Sequence, residues 1–176
     1  MRIYAAQAGQ AASESQATIM KGWRVTEVRV EMELAAQPEA VFDVLADHGS
    51  YDRMRAISTS QLTRDGEVHN GTGTVRLLTK GPIRFEEEIT TFERPNRLGY
   101  QILSTNIPLR HDGGVIQLEA TPAGTRVLWT SAFHSTVPLL AGPTGALMAA
   151  SLRRGFRRML EDAERFTRKD AADRSS

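Results

Sequence analysis

A chain of 176 residues, 40% hydrophobic, fits one domain with a core of ordinary size. Its 22 basic and 21 acidic side chains leave a formal charge of +1, so a nucleic-acid or membrane-surface partner would need a local patch. The absence of cysteine excludes disulfides, thiolate metal sites and thiol nucleophiles together. His48, His69, His111 and His134 are nowhere three or four residues apart, so no metal site is expected, and no apolar run is long enough for a membrane span.

Residues 1–22 lack a basic stretch followed by a continuous apolar one, and read as an unstructured leader rather than a secretory signal. Met20 is an alternative start, a short helix over 5–16 is the competing reading, and a cytoplasmic protein is expected. Val28, Val30, Met32 and Leu34 alternate with Arg29, Glu31 and Glu33, which predicts a first strand with one buried face. Pro38 then opens a short helix over 39–47 with Val41, Phe42 and Leu45 on one side. A second helical turn is expected over 50–55, capped by Ser50. From Ile57 to Phe133 the helical period disappears and turn chemistry recurs at Asp65-Gly66, Asn70-Gly71, Lys80-Gly81-Pro82, Pro95-Asn96, Asp112-Gly113-Gly114 and Ala123-Gly124. Six more strands are predicted, over 58–64, 72–79, 83–94, 98–104, 114–120 and 125–136, joined as an antiparallel meander. After turns at Pro138 and Gly142-Pro143, a helix is predicted over 144–168, with Met148, Leu152, Phe156, Met159, Ala163 and Phe166 forming one apolar stripe. Only the sheet is large enough to cover that stripe, so the class is α+β, followed by a polar tail over 169–176.

Three stretches carry a family resemblance. They are Val41-Phe42-Asp43-Val44-Leu45-Ala46-Asp47 after the Ala36-Gln37-Pro38 turn with Tyr51 beyond it, Phe92-Glu93-Arg94-Pro95-Asn96-Arg97-Leu98, and Gly124-Thr125-Arg126-Val127-Leu128-Trp129 before an arginine-bearing last helix. In this order they resemble the SRPBCC (START-like, helix-grip) superfamily, of the polyketide cyclase/dehydrase and lipid-transport type, over residues 23–168. The resemblance implies a single helix-grip domain: a seven-stranded curved antiparallel sheet wrapped around a long C-terminal helix, with two short helices after strand one. It further implies a pocket for a lipid, polyketide or aromatic metabolite, and no organic cofactor. Where aromatase/cyclases of this type carry a pocket arginine, serine and tyrosine, this chain has Thr91, Ile89 and Ser58, which weakens the aromatase reading.

Alternation in the strand over 83–94 puts Phe85, Glu87, Ile89 and Thr91 on the expected inner face. Glu87 is therefore either a pocket acid or base with a raised pKa, or a carboxylate in water or paired with an arginine. Tyr51 is the second candidate catalytic group. Phe85, Glu87, Ile89, Ile116, Leu118, Trp129, Met148 and Leu152 are expected to line the pocket, with Tyr51, Met54 and Arg55 at its mouth. Arg55 is either a contact for an anionic head group or a solvated arginine. His111 and His134 are weaker acid-base candidates, and His134 is expected to face outward or sit at the strand end. The run Arg153-Arg154-Gly155-Phe156-Arg157-Arg158 reads either as a nucleic-acid or protein contact or as a face neutralised by Glu161, Asp162 and Glu164. The expected partner is thus a hydrophobic small molecule, nucleic acid is disfavoured, and the oligomeric state stays open.

Overall fold

The computed structural model describes residues 25–136 and 143–173. The leader over 1–22, residues 23 and 24, and the turns at Pro138 and Gly142 lie outside them. Strand β1 (Thr26–Leu34) buries Val28, Val30 and Leu34 and exposes the charged residues between them. Helix α1 (Pro38–Ala46) begins at a proline whose fixed φ suits a first helical turn, and it buries Val41, Phe42, Val44 and Leu45. Next comes a 3-10 helix over His48–Arg53 that buries His48 and Tyr51. It begins two residues before Ser50, so that serine is not its cap.

Strands β2 (Thr59–Arg64), β3 (Val75–Lys80), β4 (Ile83–Glu93), β5 (Arg97–Thr105), β6 (Leu109–Thr121) and β7 (Gly124–Ser135) complete one sheet of order β1-β7-β6-β5-β4-β3-β2. Every pairing is antiparallel, and from β3 to β7 consecutive strands are joined by short connections. Helix α2 (Pro143–Asp173) closes the fold and spans about 46 Å at 1.5 Å per residue. It runs five residues beyond the expected end, so the polar segment is helical through Asp173, although solvated. Phe156, Met159, Leu160 and Ala163 on its inner side are buried, and α2 packs against β1, β7 and α1. The arrangement is the helix-grip α+β fold expected from the sequence.

Two bulges decide which side chains face the helix, because an extra residue in a period-2 strand moves everything beyond it to the other face. In β4, Ile89 pairs with Tyr100 and Thr91 with Gly99, so Thr90 is the extra residue. Beyond it Phe92 turns inward, packing edge-on against Phe42 with ring centroids 5.2 Å apart. Thr91 leaves the inner face that uninterrupted alternation assigns to it. In β6, His111 pairs with Phe133 and Gly113 with Ala132, so Asp112 is extra. Asp112-Gly113-Gly114 is therefore a bulge within a long strand rather than a turn. The real reversal before β6 is at Asn106, whose side chain accepts from Arg84 N and donates to the Pro82 carbonyl.

Candidate functional site

A cavity lies between the N-terminal half of α2 and the concave face of the sheet. The space in which the centre of a water-sized sphere can move is ≈ 100 Å³, room for several waters before any side chain shifts. Met148, Leu152, Gly155, Phe156 and Met159 supply the helix wall. Half-exposed Ile57, Lys80, Phe85, Ile107, Leu109, Met148 and Leu152 form its rim, whereas Arg76, Glu87, Tyr100, His111, Trp129, Ser131 and Phe133 are buried along its floor. Trp129 stacks on Phe156 at 4.1 Å between ring centroids, joining floor to helix.

The β3–β4 end of the floor carries an ion pair. Arg76 and Glu87 are cross-strand neighbours. Arg76 Nε and Nη2 donate to Glu87 Oε2 at 3.1 and 2.8 Å, with both residues under a tenth exposed. Glu87 belongs to the cavity wall, and no hydrogen bond among the described residues reaches its Oε1. Arg76 Nη1 lies 2.7 Å from His48 Nδ1. Because a guanidinium only donates, Nδ1 accepts and the imidazole proton sits on Nε2. Burial, followed by the Arg76 charge, lowers the His48 pKa to about 2 and keeps the ring neutral. The guanidinium also lies over the Tyr51 ring at 4.4 Å, a cation–π contact. Four residues thus share one buried positive charge.

The β5–β7 end carries a second polar row. Trp129 Nε1 donates to Tyr100 Oη at 3.1 Å. Burial raises the Tyr100 pKa and the negative charge of Glu87 adds to that, so the phenol keeps its proton. Ile102 N donates to His111 Nδ1 at 3.0 Å, which puts the His111 proton on Nε2, 2.9 Å from Ser131 Oγ. Burial lowers the His111 pKa to about 4. Tyr100 lies flat across the neighbouring strand because its partner there is Gly114, where a Cβ would come within 2.2 Å of the Tyr100 ring. The glycine and the bulge at Asp112 therefore place two polar rings, stacked 5.3 Å apart, in the cavity wall.

Among residues expected to line the pocket, Phe85, Glu87, Trp129, Met148 and Leu152 are found in the cavity wall. Ile89, Ile116 and Leu118 face inward but lie outside the cavity, in solid core. The correction follows from α1, which packs over β6 and β7 and fills that end of the concave face. Tyr51 and Met54 are not at the mouth but sealed, at 0% and 2% exposure. The Tyr51 hydroxyl donates to the Leu45 carbonyl, and Tyr51 is not among the residues of the cavity wall. Arg55 is drawn away from the cavity by buried Asp162, which accepts from its backbone N and its Nε, both at 2.8 Å; Ala56 and Ile57 take the wall positions instead. His134 sits at the end of β7, as one of its two readings had it, but is buried rather than outward-facing, with Nδ1 3.1 Å from Asp112 Oδ2.

Arg76, Tyr100 and Ser131 are polar wall residues that sequence reasoning missed, and His111, read there only as a weak acid-base candidate, joins them in the wall. Inward parity in β3 (Arg76, Leu78, Lys80) was the available signal for Arg76. His111 needed knowledge of the bulge. The arginine run on α2 also departs from expectation: Glu161 and Asp162 pair with Arg55, Asp162 also with Arg165, and Glu164 with Arg168. Arg153, Arg154, Arg157 and Arg158 are exposed and have no ion-pair partner among the described residues.

Solved structures share this architecture. A Thermus thermophilus protein matches with a TM-score of 0.68 at 20% identity, covering 82% of this chain and 99% of that one. Ara h 8.0201 matches at 0.62 and 14% identity, covering 83% and 99%. A Thalictrum norcoclaurine synthase point mutant, solved with a transition-state analogue, matches at 0.63 and 13% identity, covering 85% and 98%. Among sequences, an uncharacterised protein of Mycobacterium tuberculosis is 29% identical over 143 residues, 79% of this chain and 83% of that protein. The family model "Polyketide cyclase / dehydrase and lipid transport" matches residues 25–165, the stretch that builds both sheet and closing helix, and the chain belongs to that family.

Proposed function

We propose that this protein binds a hydrophobic small molecule, such as a lipid, polyketide or aromatic metabolite, in the cavity between α2 and the sheet. The observation that carries the reading is the wall itself. Apolar side chains surround a floor of hydrogen-bonding groups in fixed orientation, the division of labour by which burial supplies affinity and a few polar atoms supply selectivity. Glu87 Oε1 offers an acceptor and the Tyr100 phenol a donor, which suits a ligand with a hydroxyl or carbonyl at its buried end. Membership of a family named for polyketide chemistry and lipid transport supports the same class of ligand. No helix among the described residues is long and apolar enough to cross a membrane.

Native mass spectrometry of protein purified from its own host, and again after incubation with a lipid extract, tests this reading. A retained apolar adduct that is lost in Leu152→Trp, which fills the cavity, is the expected result. A clean apo mass under both conditions contradicts it.

A second reading, cyclisation or dehydration of a polyketide by general acid-base chemistry, is supported by the same carboxylate and phenol. Glu87→Gln and Tyr100→Phe should each abolish turnover of a candidate polyketide while the folded variants still bind it. Turnover that survives both substitutions removes these residues from a mechanism.

A further inference from the structure

The charges around the cavity do not cancel. Glu87 is matched by Arg76, and Tyr100 and His111 are neutral. Lys80 is the remaining charged residue of the wall, half-buried at the rim, with no hydrogen-bond or ion-pair partner among the described residues.

Its position follows from register. Lys80 continues the inward face of β3 after Arg76 and Leu78, and its cross-strand neighbour is Ile83 rather than a carboxylate. The β4 glutamates Glu86 and Glu88 are engaged elsewhere, with Ser104 and Arg64 respectively. The Lys80 ammonium reaches α2 at Gly155, where a Cβ would meet Nζ in ordinary van der Waals contact at 3.7 Å. From residue 143 to residue 160, the half of α2 over the cavity, the helix contains no carboxylate but four arginines. The rim therefore holds a cation with no ion-pair partner among the described residues, beside a helix segment with four exposed arginines.

We propose that Lys80 forms an anion subsite at the cavity rim, and that the ligand is an apolar monocarboxylate whose charged end meets Nζ while its hydrocarbon body enters the cavity. This rests on the hydrophobic-ligand reading and adds the ligand's charge and orientation to it. The carboxylate stays near solvent and the apolar part is buried, so the ligand avoids the cost of desolvating a charge on the floor.

Displacement of the neutral fluorescent probe N-phenyl-1-naphthylamine by octanoate and by methyl octanoate at pH 7.5 provides the test. The wild-type protein should prefer octanoate by about fivefold, as expected for one partly screened ion pair. Lys80→Met should remove that preference, read as the ratio of acid to ester affinity within each variant, and Lys80→Arg should keep it. Equal affinity for acid and ester in the wild type, or a preference that survives Lys80→Met, overturns the subsite while leaving the cavity reading intact. Failure of the probe and both competitors to bind overturns the two together.

Discussion

Arg76 and Glu87 hold each other in place within the cavity floor, so removing one leaves a buried charge without its counter-ion. Glu87→Leu or Arg76→Met alone should destabilise the fold by about 3–5 kcal/mol, and the double variant should recover much of that loss. Chemical denaturation of the four proteins checks this; a double variant as damaged as the sum of the singles contradicts it. The two lowered histidines predict a pH dependence of a particular sign. His48 and His111 are neutral in the fold, with pKa values of about 2 and about 4, but take up a proton near pH 6.5 once unfolded. Their contribution to stability is complete above that pH and declines as the pH falls toward the folded values. Between roughly pH 6 and pH 4.5, each should add about 1.4 kcal/mol per pH unit to the slope. Denaturation midpoints across that window should flatten by about one proton's worth in His111→Gln. An unchanged slope would contradict the assignment.

Among the elements, β4 and β6 show what is legible in the sequence and what is not. Hydrophobic alternation and turn residues locate all seven strands and the closing helix, because each buries one face and exposes the other. A bulge leaves hydrophobicity unchanged and alters only parity, so alternation alone points Thr91 inward and gives no reason to place His111 on the wall. Glu87 is legible because it precedes the β4 bulge at Thr90 and keeps its parity. Its partner Arg76 sits on another strand, and single-strand periodicity does not reveal cross-strand pairs. Tyr51, Met54 and Arg55 fall away from the mouth because sequence spacing does not show how Asp162, from α2, pins the chain just after the 3-10 helix. The same element-level logic makes Gly114 a position that tolerates no side chain. Gly114→Ala should displace the Tyr100 ring, break the Trp129–Tyr100 hydrogen bond and cost about 1–3 kcal/mol. Loss of the near-ultraviolet tryptophan signal together with a lowered melting temperature is the expected signature. A wild-type spectrum and stability would contradict it.

At the scale of the whole molecule, α1 and α2 divide the concave face between them. Under α1 and the C-terminal half of α2 it is filled by Phe42, Ile116, Leu118, Leu160 and Ala163; under the N-terminal half of α2 it opens into the cavity. A nearly neutral chain, with an overall charge of +1, thereby presents an unpaired Lys80 at the rim of that opening. The central claim is that a hydrophobic ligand enters this cavity, and the methionines report on it directly: Met148 and Met159 line the wall, whereas Met32 and Met54 belong to the core outside it. In protein labelled with 13C at the methionine methyls, titration with N-phenyl-1-naphthylamine should shift the Met148 and Met159 resonances saturably and leave Met32 and Met54 nearly in place. Unmoved Met148 and Met159 signals at saturating probe, or a uniform shift of all four, would contradict the account.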